Sequence, residues 1–183
     1  MNTAIERQHR NDSVLPLAAG FLLLLSRLLL IGRGTSSIPI LAFVYLSVLV
    51  ISRPDWNTIP ASRALFPLLL GSGAVVCVRF FVSAPFPIRA TFAGVVLSAL
   101  AAVAEEGLFR GALFARLLPR GRAVAIVTSA AAFALLHVPF YGLGALPVDF
   151  GAGLLFAWQR SESGTWAVPA ATHALANLVA VLP

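Results

Sequence analysis

Charged residues and cysteine are both scarce in this sequence. Only 11% of the 183 residues are charged, 59% are hydrophobic, and lysine does not occur. The one cysteine, Cys77, excludes an intramolecular disulfide and a thiolate metal cluster. A soluble core of this length could not hide so much apolar surface, and the mean hydropathy is +0.91. The sequence therefore predicts an integral membrane protein.

Apolar runs follow one another with no internal repeat, no low-complexity tract and no long linker. About 20 residues cross a hydrocarbon core of roughly 30 Å, so these runs predict helical spans. We expect about seven of them, at 14–31, 38–52, 64–84, 90–115, 122–139, 144–159 and 165–182. The run Pro85-Phe86-Pro87 breaks the chain before the fourth. The predicted fold is all-α, a polytopic transmembrane helical bundle over residues 14–183 after a polar N-terminus, residues 1–13.

All thirteen basic residues are arginine, and most of them flank apolar runs. If the N-terminus is cytoplasmic, eight of them lie on the inner side: Arg7, Arg10, Arg53, Arg63, Arg116, Arg120, Arg122 and Arg160. Only Arg33 and Arg89 lie outside, so the positive-inside rule predicts a cytoplasmic N-terminus and an outer C-terminus. We expect Arg27 and Arg79 to snorkel from the outer ends of their spans to the interface. The absence of one dense basic stripe argues against nucleic acid as a partner.

Five ionisable residues interrupt the apolar runs: Glu105, Glu106, Arg110, His137 and His173. Charge is costly in hydrocarbon, so such residues predict a functional site. Glu106 and Arg110 are four residues apart on one helix face, with the acid first, which predicts a buried ion pair. A purely structural ionic lock is the alternative for this pair. Glu105 points elsewhere, and we expect it to face a cavity without a counter-ion.

Two further pairs share a helix face, Phe133 with His137 and His173 with Asn177. At 1.5 Å per residue from the basic loops, Glu105, His137 and His173 lie at depths of about 22, 22 and 16 Å. These depths allow the three helices to bring their polar side chains to one level of the bilayer. A common site is therefore predicted.

The residue types at this level suit water attack on a peptide bond. A carboxylate with an imidazole can hold and deprotonate a water, and a second imidazole with a carboxamide can donate to an oxyanion. Two histidines and a carboxylate also match a catalytic zinc site. However, no His-Glu-x-x-His helix is present, and no carboxylate lies at helical spacing from either histidine to orient a metal-bound imidazole. No cofactor is favoured, although zinc stays possible.

Three motifs, each on its own apolar segment, occur in a fixed order: Glu105-Glu106-x-x-x-Arg110, Phe133-x-x-x-His137 and His173-x-x-x-Asn177. In this order they resemble the CPBP family, the CAAX protease and bacteriocin-processing enzymes also called Abi, over residues 90–182. The resemblance implies a multispanning intramembrane endopeptidase. It also implies that Glu105 activates the attacking water together with His137.

The same resemblance implies roles for the other motif residues. His173 and Asn177 would stabilise the oxyanion, and Glu106 would support the base within the catalytic set. Arg110 and Phe133 would hold these groups in place. The implied substrate is a protein or peptide at the membrane, and the family has been described as metalloproteases as well as glutamate-dependent enzymes. We favour the glutamate type.

Two other kinds of protein could share these features. A non-catalytic membrane immunity or binding protein of the same fold would use the polar cluster as a lock, yet no motif residue is missing here. A proton-coupled transporter would also place glutamate and histidine in the membrane, but it predicts inverted repeats, which we do not find. We therefore expect an intramembrane endopeptidase, multi-pass in the cell's inner (plasma) membrane. Abundant alanine, leucine and arginine without lysine suggests a GC-rich bacterial source.

Overall fold

A computed structural model describes residues 14–30, 37–52, 54, 61–81 and 91–180 of the chain. In these ranges all regular structure is helical and forms seven helices. We number them α1 Leu15–Ser26, α2 Ile38–Ser52, α3 Ala61–Phe81, α4 Phe92–Arg120, α5 Arg122–Tyr141, α6 Leu146–Ser163 and α7 Ala167–Ala180. A 3-10 turn, Arg27–Leu30, extends α1. The predicted all-α class is confirmed.

Each predicted apolar segment coincides with one helix, and the differences lie at the ends. Helix α6 runs four residues past its predicted end at 159, because Arg160 donates to the carbonyl oxygen of Arg110 at 3.0 Å and Glu162 pairs with Arg122 of α5. The helix ends where Gly164 adopts a left-handed conformation with φ 76°. Polar residues near a helix end thus do not mark where the helix stops.

Several sequence predictions lie outside the described residues. They are the polar N-terminus 1–13, the break at 85–87, and the topology arginines Arg7, Arg10, Arg33, Arg53 and Arg89.

Among the described residues, three helices are long and apolar enough to cross a membrane: Ser62–Arg79 within α3, Phe92–Arg120 and Arg122–Tyr141. The apolar helices Leu15–Leu30, Ile38–Ser52 and Ala167–Ala180 are shorter. At 1.5 Å per residue a helix of about 15 residues reaches roughly 22 Å, less than the hydrocarbon core. The prediction of seven crossings is therefore not confirmed, and three crossings are supported by length and composition.

Large apolar side chains cover the outside of the bundle while charges lie inside it. Phe81 and Phe92 are 89% and 86% exposed, whereas Glu106 and Arg110 are 0% exposed. Soluble proteins rarely expose so much apolar surface, and a bilayer is the solvent that suits it. This distribution agrees with a membrane protein.

The helices that carry the motifs pack directly on one another. Helix α5 packs along α6, α4 packs against α7, and α2 packs against α4. Helices α5 and α6 approach each other closely at Gly153, where a Cβ atom would lie 3.0 Å from the Cα and carbonyl oxygen of Ala130. The polar residues of α4, α5 and α7 therefore face a shared interior.

Helix α4 changes its winding directly after its two glutamates. Residues Gly107–Leu113 form a π-helical segment, and the end of α2 packs tightly on it. A Cβ atom at Gly111 would lie 2.6 Å from Cβ of Pro54, and one at Gly107 would lie 2.8 Å from Cδ2 of Leu49. Such segments often occur at functional sites. The wide turn here carries Arg110 into the interior.

Candidate active site

The predicted polar residues of three helices meet in one buried cluster. Its members are Glu105, Glu106, Arg110, His137 and His173, each at most 7% exposed. The prediction from depth, that these side chains reach one level, is confirmed by the contacts between them. Asn177 is the exception, since its amide nitrogen donates to the carbonyl oxygen of Ser98 at 3.2 Å.

Glu106 is held by the residues around it. Arg110 Nη1 donates to Glu106 Oε1 at 2.9 Å, and Arg110 Nη2 donates to the carbonyl oxygen of Gly153 at 2.9 Å. His173 Nδ1 lies 3.0 Å from the same Glu106 oxygen. The predicted pair of Glu106 and Arg110 is confirmed, and Glu106 also connects α4 to α7.

The Phe133 ring lies among the polar groups. Its centroid is 4.4 Å from that of His137 and 5.5 Å from that of His173, and the Arg110 guanidinium carbon lies 4.7 Å from it. A guanidinium over a ring face is attracted to the ring quadrupole. Phe133 therefore faces the site, as its spacing to His137 predicts, with the guanidinium and both imidazoles around its ring.

Glu105 has a counter-ion that the sequence did not indicate. Arg27 Nη1 donates to Glu105 Oε1, with side-chain exposures of 12% and 4%. The predictions that Glu105 lacks a counter-ion and that Arg27 snorkels to the interface are both wrong. A buried carboxylate without a partner costs more than an arginine gains by reaching water, so the two side chains pair.

Arg79 also contacts protein. Its Nε donates to the carbonyl oxygen of Val179 on α7 at 3.2 Å. The Arg79 side chain thus donates to a carbonyl group near the end of a neighbouring helix. Its position is therefore not explained by snorkelling alone.

The hydrogen bond of His137 fixes which of its nitrogens carries the proton. Nδ1 lies 2.8 Å from the carbonyl oxygen of Phe133. A carbonyl can only accept, so Nδ1 must donate. In the neutral ring Nε2 then carries a lone pair, and this atom lies 3.5 Å from Glu105 Oε2.

His173 is oriented in the same manner by a carboxylate. Its Nδ1 faces Glu106 Oε1, which accepts, so the neutral ring presents the lone pair of Nε2. That nitrogen lies 4.0 Å from Glu105 Oε2. Three hydrogen-bond acceptors therefore converge, and Glu105 Oε2 is buried without a hydrogen bond from any described residue. A molecule with two or more O–H or N–H donors, or a cation, satisfies such a set.

Three partners of the cluster could not be recognised from the sequence patterns. Arg27 is a charged residue in an apolar run like the others, but a position near a span end also predicts snorkelling. Tyr141 stacks on His137 with ring centroids 5.7 Å apart, and Phe156 stacks on His173 at 4.9 Å. Aromatic residues are common in apolar helices, so neither ring stood out.

The donor chemistry also fits a divalent metal such as zinc. Glu105 Oε2, His137 Nε2 and His173 Nε2 would hold it, and each imidazole has the outer hydrogen bond that metal-bound histidines use. No carboxylate lies at helical spacing from either histidine, but Glu106 orients His173 across 67 positions of sequence. Within the described residues no group of three or more His, Cys, Asp or Glu side chains has a spacing that could hold a metal ion.

An all-helical protein with this apolar exterior and this buried glutamate–histidine cluster is a membrane protein with an enclosed polar site. A family model, Type II CAAX prenyl endopeptidase Rce1-like, matches residues 87–179, about half of the chain. The chain belongs to this family, and the resemblance stated from its three motifs is confirmed. Neither a search of curated proteins nor a search of solved structures gave a match. The matched region contains all three motifs, but Arg27 lies before it.

Proposed function

We propose that the protein is an intramembrane endopeptidase in which Glu105 and His137 activate a water for attack on a peptide bond. The family is one of endopeptidases, which supports the reaction class. The observation that carries the mechanism is the convergence of Glu105 Oε2, His137 Nε2 and His173 Nε2. A water donates one O–H to the carboxylate and the other to an imidazole, and its own lone pair is left for attack.

The attack step balances on these groups. The water oxygen bonds to the carbonyl carbon, the carbonyl π pair moves to oxygen, and Glu105 takes the water proton. When the tetrahedral intermediate collapses, the carbon–nitrogen bond breaks and the leaving amine takes that proton. His137 stays neutral with Nδ1–H on the Phe133 carbonyl, so its Nε2 orients the water.

We assign His173 and Asn177 to the oxyanion by the family resemblance. His173 can donate through Nε2 only as an imidazolium, because its Nδ1 proton faces Glu106. Asn177 must first leave the carbonyl of Ser98. Glu106, Arg110 and Phe133 hold His173 and the ring faces in position.

A resident zinc ion is the alternative for the same three acceptor atoms. It would supply a Lewis acid and a more acidic water at the position where Glu105 otherwise works as a base. The position of Arg27 argues against zinc, because its guanidinium already bonds Glu105, the carboxylate that would bind the metal, and would repel a second cation there. We propose the glutamate-type reaction without a cofactor.

We propose a protein or peptide substrate that reaches the site from the bilayer, and the family description makes a prenylated C-terminal peptide the first candidate. The apolar exterior suits lipid as the surrounding partner, and nucleic acid is not expected.

We also propose a multi-pass protein of the inner membrane with a cytoplasmic N-terminus and an outer C-terminus. Arg120 and Arg122 flank the turn between α4 and α5, and Glu162 at the end of α6 pairs with Arg122, so these positions share one end of the bundle. Reporter fusions at Arg120 and after Pro183 test the orientation. A cytoplasmic signal from the second fusion would contradict the orientation or the number of crossings.

Cleavage of a defined peptide tests the proposed function. The protein is purified in lipid nanodiscs and given an internally quenched farnesylated peptide ending in Cys-aliphatic-aliphatic-X, beside the same peptide without the lipid. We expect wild type to cleave one or both, and Glu105→Gln to lose about 10²–10⁴-fold in rate. Glu162→Gln is the matched control, since Glu162 pairs with Arg122 at the surface, away from the cluster. Cleavage by Glu105→Gln at the wild-type rate would contradict the assignment.

A further inference from the structure

Arg27 presents a guanidinium to the proposed water site from a helix outside the family-matched region. Its Nη1 bonds Glu105 Oε1, and its guanidinium carbon lies 4.0 Å from the centroid of the Phe140 ring. Its Nε is buried without a hydrogen bond from any described residue. Glu105 and Phe140 hold the group, Tyr45 also interacts with it, and its Nε–H is left without a hydrogen-bond acceptor among the described residues.

The oxyanion donors expected from the motifs are already engaged. Asn177 donates to Ser98, and Nδ1 of His173 faces Glu106. Arg110 also has a buried Nε without a partner in the described part of the chain, but it is 0% exposed and lies on the Glu106 side. Arg27, at 12% side-chain exposure, is the guanidinium on the side of Glu105.

We propose that Arg27 is a further catalytic residue, which donates through its guanidinium to the carbonyl oxygen of the scissile bond as that oxygen becomes negative. The inference rests on the proposed function. During attack the water proton moves to Glu105, so negative charge leaves the carboxylate and forms on the substrate oxygen. The Glu105 carboxylate and the substrate oxygen both lie beside Arg27. Arg27 bonds Glu105 Oε1, and the water that attacks the substrate is placed against Oε2 of the same carboxylate.

The physical advantage is that one fixed cation serves both ends of the charge transfer. In the resting site the guanidinium stabilises the Glu105 carboxylate, and when this carboxylate is neutralised the same charge acts on the oxyanion. Donors that are placed before the reaction in a site of low dielectric constant give the largest electrostatic stabilisation. The substrate ground state gains little from Arg27, because Glu105 still competes for it.

The test compares Arg27→Gln with Arg79→Gln in nanodiscs, using the quenched farnesylated peptide. Arg79 is the matched control, an arginine in an apolar helix whose Nε serves a carbonyl of α7. We expect kcat of Arg27→Gln to fall about 10²–10³-fold with KM within about twofold, the result of losing a donor used only in the transition state. Methylguanidinium should restore part of the kcat of Arg27→Ala, which a merely structural role would not produce.

Each outcome decides between the two proposals. Wild-type kcat in folded Arg27→Gln, with Glu105→Gln inactive, overturns the role of Arg27 alone. No cleavage by wild type, or full cleavage by Glu105→Gln, overturns the proposed function and this inference with it. If Arg27→Gln does not fold, Arg27→Lys decides, since it keeps the charge but lacks Nε–H and the planar fork. We expect its kcat to fall about tenfold, and an unchanged kcat contradicts the inference.

Discussion

Two glutamate–arginine pairs start from neighbouring positions on α4, and they differ in reach and in access. Glu106 and Arg110 pair within one helix, four residues apart, and both side chains are 0% exposed. Glu105 pairs with Arg27 across 78 positions, and the exposures are 4% and 12%. Oε2 of each glutamate lacks a hydrogen bond from the described residues, but two imidazole nitrogens face that of Glu105.

We call Glu106 and Arg110 the sealed pair, because both side chains are fully buried. The pair of Glu105 and Arg27 can instead receive a reactant. Arg110 also bonds Gly153, and Glu106 also bonds His173, so these residues join three helices. Glu105 instead directs one oxygen toward acceptors at 3.5 and 4.0 Å, distances at which a bridging donor fits. We therefore expect changes at the first pair to act on stability, and changes around the second to act on rate.

Replacing either histidine should have the largest effect on rate. We expect His137→Ala and His173→Ala each to lose about 10²–10⁴-fold in cleavage while the protein stays inserted and folded, because the first removes the imidazole that orients the water and the second removes a proposed oxyanion donor. His173→Ala should also lower the free energy of unfolding by about 1–3 kcal/mol, since Glu106 loses a partner. Cleavage assays and thermal melts in detergent measure the two effects. Equal melting temperatures for His137→Ala and His173→Ala would contradict the expected loss of stability in His173→Ala.

Arg110→Ala should have the largest effect on stability. Removing one member of a buried pair leaves an uncompensated charge, so the free energy of unfolding should fall by about 3–5 kcal/mol. Denaturant titration in detergent measures it, and exposed Arg120→Ala is the control. A variant as stable as wild type would show that Glu106 does not depend on Arg110.

Gly153→Ala should disturb the sealed pair through the backbone carbonyl group that Arg110 bonds. Its Cβ would press on the backbone of Ala130, and the carbonyl of residue 153 accepts from Arg110. We expect a loss of about 1–3 kcal/mol in the free energy of unfolding. Gly151→Ala on the same helix is the control, because nothing lies within 4 Å of its Cβ position. Equal stability of the two variants would argue against the close packing of α5 on α6.

Chelation should have the smallest effect. We expect activity to survive 1,10-phenanthroline, because Arg27 neutralises Glu105 and the site needs no further cation to hold a water. Metal analysis of the purified protein accompanies the assay. Stoichiometric zinc, with activity lost on chelation and restored by added zinc, would make Glu105 and both histidines ligands.

Local periodicity made part of the fold and site predictable from sequence. Runs of apolar residues placed each helix within a few positions, and the i, i+4 spacing of Glu106 and Arg110 gave their pair. The depth estimate brought His137 and His173 to Glu105 because a straight helix advances by a constant rise.

Contacts between distant positions were not predictable in this way. No spacing rule connects Arg27 to Glu105 or His173 to Glu106, since such contacts depend on which helices pack together. The engagement of Asn177 with Ser98 is likewise a matter of how α7 lies on α4. The number of crossings likewise depends on the helix lengths, and among the described residues three helices meet the length and composition of a span.

Helices are synthesised in the order of the chain, and this order decides which charged residue of the Arg27–Glu105 pair is present first. Helix α1 arrives with Arg27 before α4 brings Glu105, so the carboxylate meets a cation that is already in place. Glu106 brings its own partner within the same helix. His173 arrives with α7 after both pairs can form. A half-synthesised chain can therefore pair its charges before it gains the second imidazole, and the proposed catalytic set is complete only with the last helix described.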